Sequence, residues 1–243
     1  MKNSRSPSGS KSQLLALAFA VSAFGAFSLP VQAAVIIDDN VFSDGSMAFS
    51  GPQVINGTVH TNANFTIDGG ATVNGYVTAV GTITNDNLNP GFLNGGSMAG
   101  ALPKTYPTMA VVLAAAGVPD HEIFGNQSFS GSETFSGLWL IHGTLDISGD
   151  ASGSATFLVE GDIDISGSAY LMGVVLNGSF PNGLALYSET GHVIVSDGVV
   201  GGAVAGKTTV EVSGASQVPE PSSALLLSLG CVGAAILRKR KNA

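Results

Sequence analysis

The amino-acid sequence predicts an all-β fold, a β-helix or solenoid ectodomain with one short helix, and three observations predict it. The first is a repeat. Trp139-Leu-Ile-His-Gly-Thr-Leu-Asp-Ile-Ser-Gly149 aligns with Phe157-Leu-Val-Glu-Gly-Asp-Ile-Asp-Ile-Ser-Gly167, eighteen residues on, and Ile55-Asn-Gly-Thr-Val59 aligns with Val73-Asn-Gly-Tyr-Val77 at the same spacing. Similarity at a fixed period marks stacked units. The second is alternation. Trp139, Ile141, Leu145 and Ile147 share one parity, as do Phe157, Val159, Ile163 and Ile165, the period of a strand with one face on a core. The third is punctuation: Asn56-Gly57, Asn74-Gly75, Asn94-Gly95 and Asn177-Gly178 separate the runs, as turn dipeptides do. Parallel coils about 4.8 Å apart would place equivalent side chains in ladders, Phe157 on Trp139 and Asn74 on Asn56. An antiparallel β-sandwich is the rival, because strands every roughly 8–12 residues also fit it.

In chain order, the first element is an address. Residues 1–11 are polar and cationic, and Leu14 to Leu29 is an apolar run. Pro30-Val31-Gln32-Ala33 offers small residues at the −3 and −1 positions of a cleavage site. Residues 1–33 therefore read as a secretory signal peptide, whose apolar run of 16 residues is short for a span of roughly 20. The partners are then the Sec machinery and signal peptidase, with Ala34 as the new N-terminus. Residues 34–217 are the solenoid ectodomain. Within it, 85–136 interrupts the repeat: Asn85 to Gly100 reads as an Asn/Gly-rich loop, and Thr108 to Gly117 as an Ala-rich helix stopped by Gly117-Val118-Pro119. Such a helix would cover a coil end or flank. Ser128 to Ser136 leads back into strands. The motif returns as Val193-Ile-Val-Ser-Asp197 and Val210-Glu-Val-Ser-Gly214, at spacings that predict loops or uneven coils.

Residues 218–243 close the chain. Val218-Pro219-Glu220-Pro221 is followed by an uncharged, mostly apolar stretch, 222–237, read as a transmembrane helix, and then by Arg238-Lys239-Arg240-Lys241. A basic stop stays on the cytoplasmic side of a membrane. In this order the three parts closely resemble the PEP-CTERM sorting signal of Gram-negative bacteria. The resemblance implies recognition by an exosortase, a membrane cysteine transpeptidase-like enzyme that cuts near the Pro-Glu-Pro. It also implies an inner-membrane-anchored precursor and a final place at the cell surface or in the exopolysaccharide matrix of a biofilm or floc. The ectodomain repeats, Gly-bounded Ile-x-Ile-Ser-Gly units with Ala-Thr-Val-Asn-Gly steps, are similar to polymer-forming, bactofilin-like modules and to adhesin-type passenger domains, and more weakly to bacterial ice-binding solenoids.

Charge narrows the function. The formal net charge is −8, and it is unevenly spread. Residues 34–217 hold only Lys104 and Lys207 against sixteen acids, with no arginine. A nucleic-acid binder needs a cationic footprint, so no nucleic-acid partner is expected. Cys231, the one cysteine, lies in the apolar tail, so no disulfide can staple the ectodomain.

Three motifs suggest chemistry. Gly201-Gly-Ala-Val-Ala-Gly206-Lys207-Thr208 fits the P-loop pattern, but a repeat strand follows where a helix is needed, so glycine corners explain it. Asp162-Ile-Asp164-Ile-Ser166-Gly167 begins like an EF-hand, yet Gly173 stands where the bidentate glutamate belongs. The same acids share an outward parity. Asp164 would stand over Asp146, with Glu160 and Asp162 beside them, and this row is either a solvated acidic face or an oxygen-rich site for Ca²⁺, the one cofactor considered. Catalysis finds little support. There is no Gly-x-Ser-x-Gly elbow, the two lysines lie in loop-like sequence, and His60, His121, His142 and His192 are scattered singly. Asp120-His121-Glu122 reads as a turn or helix start. Threonines 58, 66, 72, 78, 82 and 84 suggest flat rows at irregular spacing. Tyr76, Tyr170 and Tyr187 are candidate sugar platforms.

The expected function is therefore a non-catalytic structural protein of the cell surface or exopolysaccharide matrix. A carbohydrate-binding or adhesive module and a β-helical glycan-active enzyme are the alternatives, since solenoids host all three.

Overall fold

Runs of two to nine residues, rich in β-branched and aromatic side chains, wind into triangular coils whose corners carry glycine and asparagine. This is a computed structural model, and the described residues are 36–86, 91–214 and 217–218. All of them belong to the unit Ala34–Ala243, distinct from the unit Met1–Ala33. The expected signal peptide, Pro219-Glu220-Pro221, the apolar run 222–237 and the basic end 238–243 lie outside the described residues. Among the described residues no helix is long and apolar enough to cross a membrane.

The N-terminal coils are Val41–Ser43 (β1), Ser46–Ser50 (β2) and Val54–Ile55 (β3); Val59–Thr61 (β4), Phe65–Ile67 (β5) and Thr72–Val73 (β6); and Val77–Ala79 (β7), Ile83–Asn85 (β8) and Phe92–Leu93 (β9). Ser97–Ala99 (β10) begins one more. After the helix Met109–Ala116 (α1) come His121–Phe124 (β11), Gln127–Ser130 (β12), Thr134–His142 (β13), Leu145–Ser148 (β14), Ser152–Val159 (β15), Ile163–Ile165 (β16) and Tyr170–Met172 (β17). Val175–Asn177 (β18) and Phe180–Ser188 (β19) form a hairpin. Val193–Ser196 (β20), Val199–Gly201 (β21), Ala203–Gly206 (β22), Thr209–Ser213 (β23) and Gln217–Val218 (β24) complete the set.

These strands make three faces. The first runs β10-β7-β4-β1-β22-β19-β15-β13-β11, and the second β8-β5-β2-β23-β20-β16-β14-β12. The third runs β9-β6-β3-β24-β21-β17 and continues through the N-terminal halves of β15 and β13. All of these pairings are parallel, so the fold is a β-solenoid of about nine turns. The predicted ladders form: Trp139 pairs with Phe157, and Val193 pairs with Val210. The thirty-residue step from Ile163 to Val193 accommodates the β18–β19 hairpin. Its turn is held by Asn177 Oδ1, which accepts from the amides of Ser179 and Phe180 at 2.9 and 3.3 Å.

Inside the coils, the inward rows form one core that includes Val41, Phe49, Phe65, Ile147, Phe157 and Val212. Corners break the ladder, because the chain turns and a carbonyl no longer faces the amide of the next coil. Side-chain oxygens replace it. Asn40, Asn64 and Asn126 accept from the amides of Thr58, Thr82 and Thr144, eighteen residues on, at 3.0–3.1 Å. Asp120 accepts from Leu138 at 2.8 Å, and Asp162 accepts from His192 at 3.0 Å.

The order of coils in space departs from the order in the chain. The N-terminal coil β1–β2–β3 stacks on the C-terminal strands β22–β23–β24, with Val41 on Val204, Met47 on Val210 and Val54 on Gln217. The chain therefore enters in the middle of the stack and builds to one end. It then crosses along the first face and returns from the other end. The crossing strap and α1 bury a second apolar cluster against that face, including Phe42, Tyr106, Val112, Leu140, Leu158 and Tyr187. α1 ends at Gly117, whose φ of +108° suits glycine and whose amide donates to Leu113 O. At its start Met109 N donates to Glu189 Oε1 at 2.9 Å.

Three local expectations are corrected. Asn85 to Gly100 contains strands β9 and β10 rather than loop alone, because a two-residue strand is too short for the alternation to register. Asp120-His121-Glu122 enters strand β11, not a helix: His121 pairs with Trp139. Trp139 keeps its inward position but is only partly buried, since the one coil beyond it presents His121, stacked at 4.0 Å, in place of an apolar residue.

Candidate functional site

Each face has a different exterior. On the first face the outward row Leu140, Leu158, Tyr187, Ala205, Phe42 and His60 follows the register from coil to coil. The strap covers most of it. Tyr187 is fully buried, and its hydroxyl donates to Pro107 O at 2.6 Å. Burial pushes its phenol well above the ordinary value. It is therefore not a sugar platform, whereas Tyr76 and Tyr170 are 44% and 52% exposed. The two lysines tie down the strap and the stack. Lys104 Nζ donates to Asp38 Oδ1 at 2.9 Å and to Asp39 Oδ2 at 2.6 Å. Lys207 Nζ donates to Asp44 Oδ2 at 2.6 Å. Burial raises the Asp39 carboxyl despite the bond to Lys104. Burial lowers the Lys104 ammonium less than its bonds to Asp39 and Asp38 raise it.

The second face carries the predicted acidic row. Asp146 and Asp164 are register neighbours, with Asp146 exposed. Histidines hold other acids, His142 at the end of first-face strand β13 and His192 at the start of the second face. His142 Nδ1 lies 2.6 Å from Glu160 Oε1, and His142 Nε2 lies 3.0 Å from Glu122 Oε1. His192 Nδ1 lies 3.1 Å from Asp162 Oδ1, and its Nε2 lies 3.3 Å from Asp164 Oδ1. Among the described residues no group of three or more histidine, cysteine, aspartate or glutamate side chains is arranged to hold a metal ion. The histidine clasps were not expected from sequence, although the signal was present. Glu160 stands eighteen residues after His142, one coil, while the hairpin insertion hides the thirty-residue step from Asp162 to His192.

The hydrogen bonds to Glu122 and Glu160 raise the His142 imidazole above its ordinary value, against a smaller effect of burial. The folded-state pKa then exceeds the unfolded one. The stabilisation is complete below the unfolded value, about 6.5, and disappears as pH rises through the folded value. An NMR titration of the His142 ring protons is expected to give a midpoint above that of a free histidine. Glu160→Gln and Glu122→Gln should each lower it. A midpoint indifferent to both substitutions would refute the clasp.

The third face bears no charged side chain on its strands. Asn74 Nδ2 donates to Asn56 Oδ1 at 2.7 Å, and Asn94 Nδ2 to Asn74 Oδ1 at 2.8 Å, the asparagine ladder expected from the repeat. The threonines do not make one row. Thr66 and Thr84 are neighbours on the second face, Thr72 lies on the third, and Thr78 bonds His60 on the first. The P-loop-like stretch is the end of strand β21, strand β22 and a corner at Lys207 and Thr208 that leads into strand β23. Val218, the first residue of the sorting motif, sits in β24.

No family model matches the chain, and no curated protein does. Among solved structures the chain is similar to a crystal structure of an ice-binding protein from the Antarctic ascomycete Antarctomyces psychrotrophicus. That similarity is 16% identity over 74% of this chain and 93% of that one, with a TM-score of 0.40.

Proposed function

We propose that the chain is an exported, non-catalytic structural protein of the cell surface or exopolysaccharide matrix, delivered through exosortase processing of its C-terminal signal. The observation that carries the reading is the solenoid itself: a covalently continuous stack of about nine turns, with an acidic row on its second face and an asparagine ladder along its third. Such a stack is stiff, because each interior coil is paired on both sides along its three faces. The tail adds the address, Val-Pro-Glu-Pro followed by an apolar run and four basic residues. Both ectodomain lysines are bound in ion pairs, which supports scaffolding over lyase-type base catalysis.

The test uses residues 34–218, which retain β24 and the whole described core. Purified protein is centrifuged with exopolysaccharide from the producing cells, with and without Ca²⁺, beside a tube lacking polysaccharide. Co-sedimentation only with polysaccharide is the expected result, and a calcium requirement would implicate the Asp146–Asp164 row. Loss of polysaccharide viscosity would sink the structural reading in favour of an enzyme.

A further inference from the structure

We infer that the third face is a docking surface for a neutral polysaccharide laid along the stack; this rests on the matrix reading above and assigns it a face and a class of glycan. Register places two outward rows on this face. One runs from Thr134 through Tyr170 and Val199 to Thr72 and Phe92. The other carries Ser136, Ser154 and Met172 toward one end, and Asn56, Asn74 and Asn94 toward the other.

Charge selects the partner. The ectodomain is strongly acidic, and the second face bears Asp146, Asp164 and Glu211 on its outward row. The strands of the third face have no charged residue. Along the corner with the second face stand Asp68, Glu133, Asp150 and Asp197. A neutral strip bordered by carboxylates repels anionic chains at close range. What it offers is suited to a sugar. Tyr170 and Phe92 are 52% and 55% exposed, and aromatic rings stack on the C–H face of a pyranose. Each amide that donates within the asparagine ladder has a second N–H for a hydroxyl. The rows advance by about 4.8 Å per coil on a rigid backbone, so little ordering is needed on binding. The strap covers most of the first face, and among the described residues no segment covers the exposed Tyr170 and Phe92 of the third.

The experiment measures retention of residues 34–218 on neutral polysaccharides (cellulose, dextran, a galactomannan) and on an anionic one, alginate. The wild type should be retained by at least one neutral polymer and not by alginate. Tyr170→Ala with Phe92→Ala should weaken retention about tenfold. Ser152→Glu, which places a charge in the same row, should do the same. Asp146→Asn with Asp164→Asn should leave it unchanged. Both aromatic side chains are half exposed, and an unchanged melting temperature shows that the variants fold. Retention that survives the third-face substitutions, or that is lost through Asp146 and Asp164, overturns this inference and leaves the matrix reading intact. Retention by alginate alone does the same, as does a dimer that Tyr170→Ala dissolves, since a second copy would then cover the face. Retention by no polysaccharide, the cells' own included, removes the matrix reading itself.

Discussion

Gly45→Ala is expected to lower the melting temperature by about 6–12 °C, a loss of about 3 kcal/mol at the upper end of over-packing effects. Gly45 lies between β1 and β2, where the N-terminal coil meets the C-terminal strands. A Cβ there would overlap the backbone carbonyl of Thr208. No flexible side chain can give way, so the backbones must separate. The same seam holds the Val41–Val204 and Met47–Val210 pairs, the Lys207–Asp44 ion pair and a 2.8 Å bond from Gln53 Nε2 to Val212 O. Gly70→Ala is the control. Gly70 has a φ of +81° with nothing near a Cβ, so only backbone strain of about 1 kcal/mol applies. Thermal melts of the two variants side by side decide it: equal losses would mean that the seam tolerates separation.

Phe157→Ala is expected to cost about 4 kcal/mol. Its ring is fully buried in the inward row, 5.2 Å from Phe135 in an edge-on contact and 5.9 Å from Trp139. The cavity would lie near the end of the stack formed by β11 to β14. In a one-dimensional stack each coil is supported by its neighbours, so the damage should be local. Amide exchange is expected to rise first in residues 121–165, while β1, β4 and β7 retain protection. Uniform loss of protection along the chain would show instead that the solenoid unfolds as one unit. Phe92→Ala, at a half-exposed position, should fall within about 0.5 kcal/mol of wild type.

Where sequence reasoning succeeded, the information was local. Alternation around Ile147 and Ile165 selects strands because side chains on a strand point to opposite faces. The eighteen-residue step selects a parallel coil because like residues must then stack, as Asn56, Asn74 and Asn94 do. Where it failed, the elements were too short or the period was interrupted. β9 has two residues and carries no alternation. His192 meets Asp162 and Asp164 only because a hairpin lengthens one coil. Tyr187 and Tyr170 have similar local sequence roles, yet one is buried and the other exposed, because the strap covers one face and not another.

By itself the sequence determined the unit of construction, its period, the ladders within it and the acidic character of its surface, all of which follow from side-chain order along a strand. Only the tertiary structure decided which coil stacks on which, which face the strap covers, and which carboxylates the histidines hold. The physical reason is that every parallel coil presents the same row of amides and carbonyls at its edge. Backbone pairing therefore cannot distinguish one neighbour from another. The choice falls to contacts between residues far apart in the chain, such as Gly45 against Thr208, Lys207 with Asp44, and Lys104 with Asp39.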